Sequence, residues 1–346
     1  MALCLLFSLQ ARAVIPTGYY NSTDGLMKVA LKTSLYNIIK GHTSLSYADL
    51  WNAFQTTDKR ADGKVWDIYS NNTNFIFITN QCGNYSGEGS CYNREHSFPK
   101  SWFGGEVAPM YTDLFHLYPS DGYVNGVRSN YPFGNVSNVS YSSNNSYSLL
   151  GTSSESGSSL TVFEPADELK GDMARTYFYM VTRYENLVAS WKSNPNTEML
   201  AGNAYPALSN WAIQVLLEWS RLDPVSTKEK NRNDAIYTNF QHNRNPFIDY
   251  PSLAEYVWGD STTYAFHPSK NTALPADKSE VSLFTAWSEQ GCLRVHTSVG
   301  KTIEIVDLTG KIIFRSIASQ AESTFQAGEN KVVLVRIENQ VQKVVL

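Results

Sequence analysis

The sequence has little of what would place the chain in a membrane or give it a uniformly basic surface. Beyond the N-terminal residues, no apolar stretch approaches the roughly 20 residues of a membrane-spanning helix. The formal net charge is −4, which excludes a surface that is basic throughout but allows a local basic cleft. We therefore expect a soluble protein without a membrane span, in which any contact with a polyanion is local.

Cysteine is scarce, with four residues in a chain of 346. Cys4 and Cys292 lie near the two ends, which leaves Cys82 and Cys91 as the pair in the main body. A Gly-rich loop between them is flexible enough to close a ring, so an oxidising compartment favours a disulfide. The alternatives are two independent buried thiols or, less readily, a metal site, because neither residue has a second Cys or His at ligand spacing.

The N-terminus has the pattern of an export signal. The apolar run at 2–9 is followed by Ala11-Arg12-Ala13, which fits a signal peptide over residues 1–13. No Lys or Arg precedes the run, so the alternatives are a start further upstream and a buried N-terminal strand. We expect export through the periplasm to the cell surface or the medium.

Apolar periodicity predicts a helix-rich main body with a few short strands. Residues 135–159 are rich in Ser and Asn and predict loops or an irregular insertion. Extended segments are predicted at 64–69 and 75–78. Helices are predicted at 26–39, from Ser46 through Phe54, through a one-sided apolar stripe at 173–191, through 211–219, and from the capping-box pair Ser226 and Glu229 to a point before Pro246.

The C-terminal part of the sequence differs in kind. A polar segment at 260–278 is typical of a linker, and 279–346 predicts a small all-β, β-sandwich-like module with no cluster of titratable residues. The predicted fold class is therefore α+β, with a helix-rich domain at 14–259 followed by this module.

A carboxylate and an imidazole stand side by side at Glu95 and His96, shortly before Pro99. Adjacent side chains of an extended backbone point to opposite faces, so the two residues can serve different partners. An imidazole that titrates near neutrality is suited to deprotonate water, and a carboxylate oxygen is suited to Mg²⁺ or Ca²⁺. The dipeptide is weak evidence by itself, because it often occurs by chance.

Two further motifs make the pattern specific. Arg-Glu-His-Ser-Phe-Pro begins at Arg94, Asp-Leu-Phe-His-Leu-Tyr-Pro at Asp113, and Val-Asn-Gly-x-Arg-Ser-Asn-x-Pro-Phe-Gly at Val124. From about Ile15 to Gly259 the chain resembles the secreted endonuclease I family, whose active site is a ββα-metal, or His-Me, finger. The resemblance implies such a finger within the helix-rich domain and a nuclease activity.

The resemblance also implies roles for particular residues. Glu95 and Asn125 would ligate a divalent cation, expected to be Mg²⁺ with Ca²⁺ or Mn²⁺ as alternatives, and His96 would be the general base that activates water. Members of the family typically cut DNA, and often RNA, with little sequence preference. Arg128 is a catalytic candidate for binding the phosphate, with bonds to local carbonyls as the alternative.

Other polar residues receive supporting interpretations. Asp113 is expected to orient His116 or a backbone turn, and His116 supports the site or is a satisfied structural histidine. Asp121 is expected to cap a helix. The candidate nucleic-acid contacts are Lys100, Lys170 and Arg175, and for the last two the alternative is solvated helix charge.

The C-terminal module also carries a resemblance. Residues 305–311, Gly328 and the terminal segment 343–346 resemble the sorting domain that the type IX secretion system of Bacteroidetes recognises. An Ig-like binding module is the alternative. For the whole chain, which we expect to be a monomer, the competing functions are a secreted nucleic-acid-binding protein with a degenerate nuclease fold and a phosphodiesterase of small nucleotides.

Overall fold

The computed structural model describes residues 15–153, 155–157, 159–270, 284–289, 292–307, 311–326, 332–337 and 340–345. The predicted signal peptide lies outside the described residues, as do 271–278 of the predicted linker. The chain divides into two compact units, 1–274 and 275–346. No helix in the described ranges combines the length and the apolar character needed to cross a membrane.

Helices are the main regular secondary structure of the first unit, as the apolar periodicity predicts. Short 3-10 helices lie at Asn21–Thr23, Lys100–Phe103, Met110–Thr112, Asn144–Ser146 and Val188–Ser193. The α-helices are α1 (Lys28–Ile39), α2 (Leu50–Thr57), α3 (Gly122–Arg128), α4 (Asp167–Arg183), α5 (Asn210–Leu222), α6 (Thr227–Asn239), α7 (Pro246–Asp249) and α8 (Leu253–Val257). The capping box predicted at Ser226 and Glu229 is confirmed at the start of α6.

Helix α4 forms the centre of the first core. The prediction that it continues to Trp191 and buries one face is wrong on both points. The helix ends at Arg183, because Tyr184 leaves the helical conformation with φ −112° and ψ 34°. Every residue from Gly171 to Arg183 is buried, so neighbouring elements cover the helix on all sides, and the apolar stripe marks only its most hydrophobic face.

The first unit also contains two antiparallel sheets. Strands β1 (Tyr92–His96) and β2 (Leu117–Asp121) form a pair, and α3 follows β2 directly. Strands β3 (Asn138–Ser142), β4 (Leu149–Ser153) and β5 (Leu160–Glu164) form the second sheet. The prediction of loops at 135–159 is therefore wrong. Strand β3 is an edge strand exposed at nearly every position, so Ser and Asn occupy it without loss of burial.

The extended segments predicted at 64–69 and 75–78 are not strands. Both consist of turns and irregular backbone, with one isolated bridge between Lys59 and Val65. Residues 260–270, which belong to the predicted linker, pack on the first unit. Phe266 is fully buried in its core and forms a backbone bridge with Leu26.

The second unit is all-β, as predicted. Its strands are β6 (Phe284–Glu289), β7 (Cys292–Thr297), β8 (Thr302–Val306), β9 (Ile312–Ile317), β10 (Glu322–Gln326), β11 (Val332–Ile337) and β12 (Gln340–Val345). One sheet has the order β10-β7-β6 and the other the order β12-β11-β8-β9, and buried residues from both contribute to a single apolar core. The chain is thus an α+β protein.

Candidate active site

The β1–β2 pair and α3 bring the motif residues together. Glu95 pairs with Tyr118 and His96 with Leu117 across the ladder. At the end of β2, the carboxylate of Asp121 accepts a hydrogen bond from the Val124 amide at 2.9 Å and starts α3. The helix-cap interpretation of Asp121 is therefore confirmed. The cap fixes the direction in which α3 leaves the strand pair, and α3 carries Asn125 and Arg128.

Glu95 is only 3% exposed, and Tyr69 and Arg128 hold its side chain. The Tyr69 hydroxyl donates to Oε1 at 2.8 Å, and a guanidinium nitrogen of Arg128 lies 2.9 Å from the same oxygen. Burial raises the pKa of Glu95, while the Arg128 charge and the Tyr69 bond act in the opposite direction. The contacts converge on one oxygen and fix the orientation of the carboxylate.

His96 lies at the end of β1 against aromatic rings. Its Nε2 donates a hydrogen bond to the Tyr111 carbonyl at 3.0 Å, since a carbonyl can only accept. The Tyr111 and Tyr47 rings stack with the imidazole at centroid distances of 5.2 and 6.1 Å. Burial, followed by the neighbouring His116, keeps the pKa of His96 well below its usual value. The ring is therefore neutral near pH 7, with its proton on Nε2 and a lone pair on Nδ1.

Asn125 is half-buried on α3. Its amide nitrogen donates to Oδ1 of Asn93 at 2.7 Å, which fixes the amide so that its own oxygen points away from that bond. Asn125, Glu95 and His96 all line one cavity of about 410 Å³. The charged residues of the same cavity wall are Arg94, Glu95, Lys100 and Arg128.

Arg128 is a buried residue of this cavity wall. Its guanidinium donates to the carbonyls of His96 at 3.0 Å and Ser97 at 2.5 Å, and it lies 4.8 Å from the centre of the Phe133 ring. Arg128 thus makes the bonds to local carbonyls that were the alternative to phosphate binding. Together with the ion pair to Glu95, these bonds tie α3 to the end of β1.

Asp113 and His116 lie in the core and not at the cavity wall. Asp113 accepts from the Phe115 amide at 3.0 Å and from two tyrosine hydroxyls, so it organises a backbone turn, as one of its two interpretations predicts. His116 is fully buried and its Nε2 donates to the Met110 carbonyl at 2.7 Å. Its ring centre lies 5.5 Å from that of His96. This arrangement fits a structural histidine.

The three candidate nucleic-acid contacts have different positions. Lys100 is exposed at the cavity wall, where it pairs with Glu106 at 3.0 Å. Lys170 is held by two carboxylates on the surface of α4. Arg175 is 1% exposed and binds Glu229 through two nitrogens. This corrects the assignment of Arg175 as a nucleic-acid contact, because a buried side chain presents no surface to a polymer.

Several residues that shape the site lie outside the sequence motifs. Asn93 could have been found, because alternation along β1 places it on the same face as Glu95. Tyr69, Tyr47 and Tyr111 carry no such signal, since their contacts with the site join segments that are distant in sequence.

The predicted disulfide is present next to this site. Cys82 is bonded to Cys91, with a Cα–Cα distance of 5.7 Å, and Cys91 immediately precedes β1. The bond closes the Gly-rich loop, whose Gly89 amide donates to the Asp121 carboxylate at 2.6 Å. The loop is thereby attached to the start of α3.

The described residues contain no cluster of three or more His, Cys, Asp or Glu side chains with the spacing of a metal site. The side-chain oxygen donors at the cavity wall include the Glu95 carboxylate and the Asn125 amide oxygen. Such a pair fits Mg²⁺, which usually keeps several waters and takes only one or two protein carboxylates.

Comparisons with known proteins find relatives for most of the first unit. The family model described as Endonuclease I matches residues 28–252. An extracellular ribonuclease of Bacillus amyloliquefaciens is 38% identical over 245 residues, covering 69% of this chain and 78% of that protein. An extracellular ribonuclease of Bacillus subtilis (strain 168) is 38% identical over 246 residues, with the same coverage of 69% and 78%. An Endonuclease-1 of Buchnera aphidicola subsp. Acyrthosiphon pisum (strain APS) is 28% identical over 138 residues, 40% of this chain and 44% of that protein.

Proposed function

Since the chain belongs to the endonuclease I family and is a nuclease acting on phosphodiester bonds, we propose that it is a secreted, divalent-metal-dependent endonuclease with His96 as its general base. The observation that carries this proposal is the state of the imidazole. Nε2 is fixed by the Tyr111 carbonyl, so the lone pair lies on Nδ1 of a residue at the cavity wall. A base in this state can take a proton from water as that water attacks phosphorus.

The donor set at the cavity wall supports a role for Mg²⁺, with Ca²⁺ or Mn²⁺ as alternatives. Glu95 and Asn125 would hold the ion through hard oxygen atoms. When bound, a divalent ion supplies charge stabilisation for the phosphoryl oxygens. Arg128 would act on Glu95 by fixing its carboxylate, and its charge at the wall also favours an anionic substrate.

Both DNA and RNA are substrates in this proposal. Water delivered by a protein base makes no use of the ribose 2′-hydroxyl, so the sugar does not decide whether the reaction proceeds. Two of the relatives are named extracellular ribonucleases, which supports RNA as a substrate and a location outside the cell. The cavity wall has more cationic than anionic side chains, although the whole protein has a net charge of −4. The positive charge of the cleft is therefore a local feature.

We also propose that the all-β unit directs export through the type IX secretion machinery and takes no part in catalysis. Its charged side chains mostly pair with one another, as Glu304 does with Arg315 and Arg336. Truncation after the first unit should abolish secretion in the native host and leave the purified enzyme active. A folded truncation without nuclease activity would assign the unit to substrate binding.

The test of the main proposal is cleavage of supercoiled plasmid, RNA and a dinucleotide, each with Mg²⁺ and with EDTA. We expect nicking of the plasmid and degradation of RNA only with the free ion. Full activity in EDTA would contradict the metal requirement. Cleavage of the dinucleotide alone would instead identify a small-nucleotide phosphodiesterase, and tight binding without cleavage would identify a binding protein.

A further inference from the structure

A second group of polar residues shares the cavity with Glu95, His96 and Asn125. Ser101 belongs to the 3-10 helix Lys100–Phe103, and Ser129 and Asn130 form the turn after α3. All three line the cavity. The cavity volume of about 410 Å³ lies in the range of ligand pockets and exceeds what a single phosphodiester group fills.

The side chains of Ser101 and Asn130 are arranged as donors. Asn196 donates to Oδ1 of Asn130 at 2.8 Å, and Nδ2 of Asn130 donates to the Ser101 hydroxyl oxygen at 3.2 Å. The acceptor of Asn130 is therefore engaged, and its amide keeps a second hydrogen. Because the Ser101 oxygen accepts, its hydroxyl hydrogen can be donated elsewhere.

Ser129 has a backbone conformation that a side chain rarely adopts, with φ 53° and ψ −124°. Glycine would take this conformation without strain. The conformation is held by bonds on both sides, since the Ser129 amide donates to the Asn125 carbonyl at 3.0 Å and its carbonyl accepts from Arg128 at 3.4 Å. Strain that is held in this way at a cavity wall points to a functional position.

The charge of the cavity suits more than one phosphate. Its wall carries three cationic side chains and one anionic side chain, and the anionic Glu95 is already paired with Arg128. Ser101, Ser129 and Asn130 add hydroxyl and amide donors without adding a carboxylate. Phosphate contacts by Ser and Asn side chains position a strand and carry no sequence information.

We propose that Ser101, Ser129 and Asn130 bind a second phosphodiester group, adjacent to the cleaved one on the same strand. The proposal rests on the proposed nuclease site and names its substrate more closely as a nucleic-acid strand. The subsite favours a strand with a charged flanking phosphate over one whose only phosphate is the reacting group.

The test compares two DNA tetranucleotides of equal length. One has phosphate at all three linkages, and the other has neutral methylphosphonates at the two outer linkages and phosphate at the central one. Wild-type enzyme should cleave the central linkage of the fully charged strand with a kcat/KM at least about tenfold higher, the scale of a hydrogen bond to an ionised group.

Asn130→Ala and Ser129→Gly should each lower this preference by about tenfold, whereas Ser190→Ala, an exposed serine on another element, should keep it. Glycine adopts the backbone conformation of Ser129 without strain, so the Ser129→Gly variant should fold as the wild type does. An equal preference in wild type and both cavity variants would overturn the subsite.

The two proposals fail separately. If the wild type cleaves neither tetranucleotide, the subsite is decided by equilibrium binding of the same two strands, and the nuclease mechanism fails only if plasmid and RNA also stay intact. Tighter binding of the charged strand by the wild type, lost in Asn130→Ala, would support the subsite. Equal binding of both strands by the wild type would overturn it.

Discussion

Two arginine–glutamate pairs are buried in the first unit, and they differ in what surrounds them. Arg128 lies 2.9 Å from Glu95 at the cavity wall, whereas Arg175 binds Glu229 at 2.5 and 2.8 Å in the interior. All four residues are between 1% and 3% exposed. Burial of the charge therefore does not separate a candidate active-site pair from a structural one.

The way in which each carboxylate is bonded does separate them. Both oxygens of Glu229 are engaged, because Arg175 binds each of them and the Ser226 amide also donates to Oε2 at 2.9 Å. At Glu95, the ion pair and the Tyr69 hydroxyl both meet Oε1. The cavity pair thus fixes a carboxylate at the cavity wall, and the interior pair closes a helix cap.

We expect changes at the cavity to lower turnover and changes at the interior pair to lower stability. The largest effect is predicted for His96→Ala, which should lose about 10²–10⁴-fold in kcat while the protein remains folded, because a positioned base contributes on that scale. Plasmid cleavage at saturating Mg²⁺ and a thermal unfolding scan measure the two quantities.

His242→Ala is the matched control for this variant, since His242 is exposed and lies outside the cavity wall. It should cleave plasmid at the wild-type rate. Cleavage by a folded His96→Ala protein at near the wild-type rate would contradict the assignment of the base.

The interior pair should show the reverse pattern. Arg175→Met leaves the buried Glu229 without its partner and should lower the free energy of unfolding by about 3–5 kcal/mol. The double variant Arg175→Met with Glu229→Gln should recover part of that loss, because the unpaired charge is removed. Urea titrations of wild type and both variants give these differences.

The same variant also tests the corrected assignment of Arg175. Its kcat/KM on DNA, per folded molecule, should match the wild type, and the slope of log affinity against log salt should not change. A slope smaller by about 1 would mean that Arg175 does contact a phosphate after all.

Comparison of the two pairs shows how far the sequence predicts this site. The motifs around Glu95, His96 and Asn125 select residues that the structure brings to one cavity, because β1, β2 and α3 follow local patterns of alternation and capping. Arg175 has no such local context. Its burial depends on Glu229, 54 residues away, and no periodicity in α4 predicts that contact.

The same limit explains the errors in the fold. Periodicity reports how apolar one face of a segment is, so it predicts that α4 exists but not that all of its faces are covered. Strand β3 is polar because it lies at an edge, and an edge position is a property of the sheet. Local signals with a fixed offset, such as the Ser226 capping box, are predicted correctly because both partners lie within one turn.

A smaller effect is predicted on the cavity side for the Cys82–Cys91 bond. The two cysteines are nine residues apart, and closing such a short loop restricts the unfolded chain enough to contribute about 2–3 kcal/mol. Cys82→Ser with Cys91→Ser should lower the free energy of unfolding by that amount. Reductant should destabilise the wild type and leave the double variant unchanged. Equal stability of the oxidised and reduced wild type would contradict the prediction.

The smallest effect concerns the pH dependence of the interior pair. Asp172 lies beside it, and burial, followed by the charge of Glu229, raises the pKa of Asp172 to about 7. The folded protein therefore holds a proton that the unfolded chain releases near the ordinary aspartate value of about 4. Stability from this group is fully present below about pH 4 and is lost as the pH rises through about 7.

Asp172→Asn should remove this dependence. Between pH 6 and pH 8, the free energy of unfolding of the wild type should fall by about 1–2 kcal/mol more than that of the variant, as measured by urea titration at both values. Asp260→Asn, at an exposed carboxyl, serves as the control and should behave as the wild type. If Asp172→Asn loses as much stability as the wild type over this interval, the pKa of Asp172 is not raised and its carboxyl is ionised in the folded protein at neutral pH.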